Sequence, residues 1–432
     1  LVFHQTNKRK TDSTNEKHMI GLTEEAMRKK AFYRTGCALA LTMAIGLVTT
    51  TLAIAEEGVI RIGVTMRMLT ENGQKYGRMM KDEFDAVNAA GGINGKKVEI
   101  FMLDDQCKPE IGVANANRFI SQNRVHLIIG STCSSVSMPI VPVSAKAEVA
   151  MVVPHSTNAK VTKQNSEWVF RVSVSERFYS AVHGKWLAEN EGKKVAYLYT
   201  TDSAAISFAD SYMKYMRDAY KIEPVYVGQL QETDLDFRAQ LLQIKGIKPD
   251  ILAIGGQSDA LARLAQQSYE VGIPKSVRRV AASSASNATF APLAGDSAVG
   301  LAFAAAFSCF DDRPIAKKFV KMVQDKYDVP CPDHDFSQAW DLAQIVINVL
   351  KSADLKLTDD ALVADRLTIR DGLINMPPYE GLASGPISWC AAATPQCRDG
   401  NRTGVLVEYT KGGKNYDMGV LARVSFEPDF GL

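Results

Sequence analysis

Val59-Ile60-Arg61-Ile62-Gly63-Val64 is a short, mostly apolar run that reads as a buried strand, and Val98 to Leu103 repeats the pattern. Between them lie a polar loop from Thr65 to Lys75 and a stretch from about Tyr76 to Ala90. In that stretch Met79, Met80, Phe84 and Val87 recur at helical spacing. Gly91-Gly92 and Asn94-Gly95 end it, because glycine and asparagine tolerate the left-handed conformation of a helix C-terminus. The unit reads strand, helix, strand, and a buried strand feeding a helix is the building block of a parallel sheet.

The rhythm continues outward. A helix is predicted over about Glu110 to Gln122, a strand over His126 to Ile129, a helix from about Pro139 and a strand over Ala150 to Val153. The pattern then restarts. Strands are predicted at Lys194 to Tyr199, Pro224 to Gly228, Asp250 to Ile254 and Arg279 to Ala282. Helices over Ala209 to Ala219, Phe237 to Ile244 and Asp259 to Val271 separate them. Two α/β units in series imply two lobes with a cleft between them. Amphipathic runs at about 313–327 and 336–352 follow, and strand-like stretches at 404–409 and 416–424 close the chain.

Ahead of this region, Met27-Arg28-Lys29-Lys30 through Arg34 is basic and Gly36 to Ala55 is apolar. Ala53-Ile54-Ala55 supplies the small-x-small pattern of a cleavage site, so residues 27–55 have the form of a secretory signal peptide. A membrane anchor is the competing reading, since such a run could just span a bilayer; its threonines and its ending favour cleavage. Residues 1–26 are read as an upstream extension. Without residues 1–55 the chain carries 42 basic and 44 acidic residues, a balance that gives nucleic acid no electrostatic footing. Six cysteines remain: Cys107, Cys133, Cys309, Cys331, Cys390 and Cys397. An even count in an exported chain points to disulfides. Order along the chain suggests 107–133, 309–331 and 390–397, although sequence alone leaves the pairing open. A metal site is not expected, for there is no Cys-x-x-Cys and no histidine at ligand spacing.

Ligands of open parallel sheets sit beyond the carboxyl ends of the strands. Two hydroxyl-rich loops fall there: Gly130-Ser131-Thr132-Cys133-Ser134-Ser135 and Pro154-His155-Ser156-Thr157-Asn158. Free N–H groups at a helix N-terminus beside Ser and Thr hydroxyls suit a carboxylate. Plain N-capping would use the same residue types, and both readings stay open. Nucleophile elbows, phosphate loops and His-Glu-x-x-His are absent from the sequence. A serine hydrolase built from Ser134, His155 and Asp202 is the weakest alternative, because spacing says nothing of geometry.

Ile60 to Val64, Ala89-Ala90-Gly91-Gly92-Ile93-Asn94-Gly95-Lys96-Lys97, Asp104-Asp105-Gln106-Cys107, Cys133-Ser134-Ser135 and Pro154 to Asn158 together resemble the branched-chain amino acid-binding family of periplasmic ABC-transporter receptors. Gly255-Gly256, Ser286-Asn287-Ala288 and Ala294-Gly295-Asp296 extend the likeness. The resemblance implies a type I periplasmic-binding fold, α/β, with two Rossmann-like lobes joined by three crossovers. Lobe 1 would take 56–173 and about 309–402, lobe 2 174–308 and about 403–432. It implies no cofactor, no catalysis, a small-molecule ligand, permease subunits in the membrane as partners, and a monomer in the periplasm. A ligand-sensing receptor on the same fold is the alternative.

The family pattern also implies the 107–133 disulfide. It places the ligand's carboxylate on Ser134, Ser156 and Thr157 with the backbone of His155, under Tyr76, and Ser135 beside them is a candidate from its loop. Arg67 is a further candidate. Three positions depart from the pattern. Aromatic and tyrosine positions of the second lobe fall on Ala205 or Ile206 and on Gln257, and the acid that pairs with a ligand ammonium falls on Ser283. A buried ammonium without a counter-charge is costly, so an amine-free carboxylate, aromatic or aliphatic, is expected.

Overall fold

A strand that is apolar on both faces must be covered on both faces, and helices connecting parallel strands do this. The computed structural model describes residues 58–383 and 385–426, which fall in one compact unit. The basic stretch, the apolar run and the cleavage site lie outside the described residues. Among the described residues no helix is long and apolar enough to cross a membrane.

The first sheet contains β1 (Ile60–Met66), β2 (Val98–Asp104), β3 (Leu127–Gly130), β4 (Ala150–Val153) and β5 (Val169–Arg171) in the order β2-β1-β3-β4-β5, all parallel. Helices α1 (Glu71–Ala89), α2 (Pro109–Ser121) and α3 (Ser134–Lys146) connect its strands. The second sheet starts after α4 (Glu176–Asn190). It contains β6 (Val195–Thr200), β7 (Tyr226–Leu230), β8 (Ile251–Gly255), β9 (Arg278–Ala281) and β10 (Leu301–Ala305), with α5 (Ser203–Tyr220), α6 (Arg238–Ile247), α7 (Ser258–Glu270) and α8 (Phe290–Ala294) between them. The chain then returns to the first sheet as α9 (Pro314–Tyr327), α10 (His334–Ser352), α11 (Leu362–Asn375) and the single turn α12 (Pro395–Arg398). It finally crosses back as β11 (Thr403–Lys411) and β12 (Asp417–Ser425), which extend the second sheet antiparallel to the order β12-β11-β10-β9-β8-β6-β7.

The cores sit on the sheet faces. Met79, Met80 and Phe84 of α1 meet Phe336, Leu342 and Val346 of α10 on one face of the first sheet. Phe119, Val136 and Ile140 cover the other face. In the second sheet, Leu261 and Leu264 of α7 lie on one face and Phe208 and Tyr212 of α5 on the opposite one.

Three passages link the two sheets: 172–175, 306–313 and 399–402. A fully buried charge cluster lies at the first and third. Arg171 at the end of β5 donates from Nε to Oδ1 of Asp399 at 2.9 Å, and Arg177 of α4 donates from Nε to Oδ2 at 3.0 Å. The cysteines pair as 107–133, 309–331 and 390–397.

Helix starts depart from the sequence expectation. Helix α3 begins at Ser134, with Pro139 and Pro142 inside it. A proline removes one backbone donor from the helix, and the Met138 carbonyl that Pro142 cannot serve accepts instead from the Gln164 amide at 2.9 Å. Helix α5 begins at Ser203, where the Asp202 carboxylate caps the N–H groups of Ala204 and Ala205.

Candidate functional site

Gly130 lets the chain leave β3 at φ 155°, where an added Cβ would lie 2.4 Å from the Thr65 carbonyl oxygen. That close approach brings the loop after β3 against the loop after β1. The Ser131 hydroxyl donates to Asp105 at 2.6 Å, and its N–H donates to Ser137 Oγ at 2.8 Å. Ser137 and Ser156 share a hydrogen bond at 2.7 Å, and the Ser156 hydroxyl donates to the Ser131 carbonyl at 2.9 Å. Ser156 is completely buried and committed to this lattice. Its hydroxyl braces the two loops.

Ser134 and Thr157 do come together. Ser134 Oγ accepts the N–H of Asn158, the residue after Thr157, at 3.2 Å. Ser134 is the first residue of α3, and Cys133, the disulfide-bonded residue ahead of it, offers no side-chain cap. The N–H groups of Val136 and Ser137 serve the Cys133 carbonyl, which leaves those of Ser134 and Ser135 at the helix start beside the Ser134 hydroxyl, and a helix N-terminus with a neighbouring hydroxyl suits an anion. Simple N-capping does not account for Ser134. Ser135, next on the helix, is only partly buried.

Tyr76 stands over these loops at 5 % exposure, edge-on to His155 at 5.0 Å and to Phe336 at 5.8 Å. His155 Nε2 bonds the Asp335 carbonyl at 2.7 Å, while its Nδ1 is buried without a hydrogen-bond partner. Arg67 is half-buried, and its N–H donates to Thr132 Oγ1 at 3.1 Å. Burial pushes up the carboxyls of Asp335 and, in the second lobe, Glu232; the positive charges of His155 and Arg67 oppose the first shift and that of Arg67 the second.

The second lobe closes the other side. Asn158 donates from Nδ2 to the Ser203 carbonyl at 2.6 Å, and the Ala159 N–H donates to Ser207 Oγ at 3.1 Å. Ser286 Oγ and His334 Nδ1 are 2.9 Å apart. Ile206 lies partly buried in the first turns of α5. Gln257 donates from Nε2 to Asp202 Oδ1 at 3.2 Å.

Ser283 reveals what the sequence reading missed. Its hydroxyl donates to Glu176 Oε1 at 2.8 Å, and Glu176 is 1 % exposed. Burial pushes the Glu176 carboxyl up to about 7, against hydrogen bonds from Ser283 and Thr157 and the field of Arg171, with the repulsion of Asp202 adding to the rise. Position 283 carries no acid, as the sequence reads, but the carboxylate of Glu176, the first residue of α4, stands against its hydroxyl. Tyr179 and Gln338, buried beside each other, were not singled out in the sequence either. Ser173-Val174-Ser175-Glu176-Arg177 reads in sequence as a polar linker, so no local signal marks it. Among the described residues no cluster of His, Cys, Asp or Glu could hold a metal ion.

A family model described as periplasmic binding protein matches residues 60–414. An amino acid binding protein of Pseudomonas aeruginosa is 30% identical over 248 residues, covering 57% of this chain and 66% of that protein. The chain thus spans just under two thirds of that curated relative's length. Among solved structures, the branched-chain amino acid transporter substrate-binding protein of Streptococcus pneumoniae in complex with isoleucine is 22% identical with a TM-score of 0.71, covering 86% of this chain and 100% of its own. A solute-binding protein of an ABC transporter from Rhodopseudomonas palustris, in complex with 3,4-dihydroxybenzoic acid, is 21% identical with a TM-score of 0.72, covering 85% of this chain and 98% of its own. At these identities the two structures speak for the fold.

Proposed function

The chain belongs to the periplasmic binding protein family, and from that premise we propose that it is an exported receptor that delivers a small carboxylate-bearing solute to an ABC importer. One observation carries the reading: Ser134 Oγ lies 3.2 Å from the Asn158 nitrogen, joining a helix N-terminus to the Thr157 loop at the mouth of an interlobe cleft. Isoleucine and 3,4-dihydroxybenzoic acid, held by proteins of the same fold, both carry a carboxylate.

The mechanism is hinge closure. The first lobe, 56–173 with about 309–402, takes the carboxylate on the Ser134 and Thr157 loops under Tyr76. The second lobe, 174–308 with about 403–432, then swings over through the three passages. Contacts such as Asn158 to Ser203 form on closing, so a ligand touching both lobes shifts the balance to the closed form. Permease subunits would read that form. The chain binds its solute without transforming it, as a monomer in the periplasm with no cofactor.

Thermal-shift screening of carboxylic acids against their primary amides tests this. Carboxylates should raise the melting temperature and amides should not. Equal shifts would remove the anion from the account.

A further inference from the structure

The end of the first sheet opposite the cleft gathers positive charge around two buried donors that find no acceptor among the described residues. The first is His126, fully buried just ahead of β3. Its Nδ1 accepts the Arg61 N–H at 3.0 Å, so the neutral ring carries its proton on Nε2. That Nε2–H is buried without a hydrogen-bond partner. Burial, with the fields of Arg61, Arg366 and Arg124 behind it, pushes His126 down to about 3, which keeps the ring neutral.

The second donor belongs to Arg366 of α11, which is 5 % exposed. Its Nε donates to the Val125 carbonyl at 2.9 Å and its Nη1 to the Ala147 carbonyl at 3.0 Å. These bonds fix the guanidinium against the Val125–His126 peptide, while Nη2 is buried without a partner. Neither bond is to a carboxylate. The field of Glu148, an exposed acid, opposes the burial of Arg366 and the repulsion of Arg124 and Arg61. Arg61 Nε donates to the Arg124 carbonyl at 3.1 Å, and Arg124 in turn pairs with Asp359 at 3.2 Å on the surface.

A buried donor without an acceptor is costly, and so is a buried charge without a counter-charge. A water could accept from both donors but would leave the charge of Arg366 in place. An anion meets both needs. Two single N–H groups in a closed spot suit a compact sphere better than a tetrahedral oxyanion, whose oxygens would each need further donors. We infer that His126 Nε2 and Arg366 Nη2 bind an anion of the halide class, chloride in solution, which ties α11 to the amino ends of β1 and β3. The site shares no residue with the carboxylate cleft and stands independently of the function proposed above.

Crystals of the chain soaked in sodium bromide, measured at the bromine absorption edge, test the site directly. An anomalous peak within hydrogen-bonding reach of His126 Nε2 and Arg366 Nη2 is expected. No peak there, or a peak only in the cleft beside Ser134, overturns the inference. In solution, chloride exchanged for methanesulfonate at constant ionic strength should raise the melting temperature of the wild type in a saturable way, as a ligand of the folded state does. An unchanged melting temperature overturns the inference as well. His126→Asn keeps an acceptor near the Arg61 N–H and removes the Nε2 donor. It should weaken the chloride response about 10- to 150-fold in concentration, the effect of losing one hydrogen bond to a charged group. A variant that responds to chloride as the wild type does overturns the role of His126, and should the variant fail to fold, the bromide peak in wild-type crystals decides.

Discussion

Asp399→Asn should cost more stability than any surface substitution in the molecule. The side chain is fully buried, and it receives Arg171 on Oδ1 at 2.9 Å, Arg177 on Oδ2 at 3.0 Å and the Thr162 hydroxyl on Oδ1 at 3.0 Å. Asparagine keeps the shape, removes the only charge bonded to both guanidiniums among these contacts, and turns an N–H toward one of them. Removing one member of a buried ion pair costs about 3–5 kcal/mol, because the partner stays buried and uncompensated. Against a typical total of about 5–15 kcal/mol and a urea slope of roughly 3 kcal/mol/M, the unfolding midpoint should fall by about 1 M or more. Asp218→Asn is the control. It breaks an exposed pair with Lys214, half accessible on both sides, and should change stability by less than about 1 kcal/mol. Urea titrations followed by circular dichroism decide the matter. The binding site should feel the change too. Arg171 donates to the carbonyls of Ser156 and Asn158 at 3.1 and 2.7 Å, so it holds the loop that presents Thr157. If the Asp399 variant moves the midpoint no further than the Asp218 variant, the cluster does not hold the two lobes and that reasoning fails.

Ser134→Ala should weaken ligand binding about 10- to 150-fold, the effect of losing a hydrogen bond to a charged group, while the empty protein melts nearly as before; a collapse of unliganded stability would make Ser134 structural. Ser156→Ala should do the reverse, costing about 1–3 kcal/mol of stability through its buried partners Ser137 and Ser131, as read by urea denaturation. Burial pushes His183 down to about 3, and its Nε2 accepts the Ala304 N–H at 2.8 Å. Its contribution is therefore complete above the unfolded value of about 6.5 and lost as pH falls toward 3. His183→Gln should flatten the loss of stability by about 1.4 kcal/mol per pH unit between pH 6 and 4, and an unchanged slope would mean that His183 does not titrate on unfolding. Replacing Cys107 and Cys133 together by serine should cost roughly 3–4 kcal/mol, the closure entropy of a loop with a sequence separation of 26.

The sheets were legible because their strands are apolar runs of period-free burial, such as Leu127–Gly130 and Ile251–Gly255, in which every residue is buried. The hydroxyl loops were legible because they follow those strands directly. Helix starts were not. The first turns of α3 and α5 face the cleft, so Ser134, Ser135, Ser203 and Ala204 break the amphipathic pattern that continues behind them. Helix α11 went unread because its buried Leu362, Ile369 and Leu373 alternate with buried Asp365 and Arg366, which blurs its apolar stripe. Glu176 escaped for a stronger reason. Its hydrogen-bond partner Ser283 stands 107 positions away, so nothing near it in the sequence marks the pair.

The most direct measurement is a crystal structure of the chain with its tightest ligand. A carboxylate oxygen within hydrogen-bonding distance of Ser134 Oγ and the Thr157 loop, with the two lobes closed around the molecule, is the result predicted here. A ligand lodged instead in the groove between α10 and α11, against Val349, Gly372 and Tyr379, or one turning an apolar end toward Ser134, would contradict it.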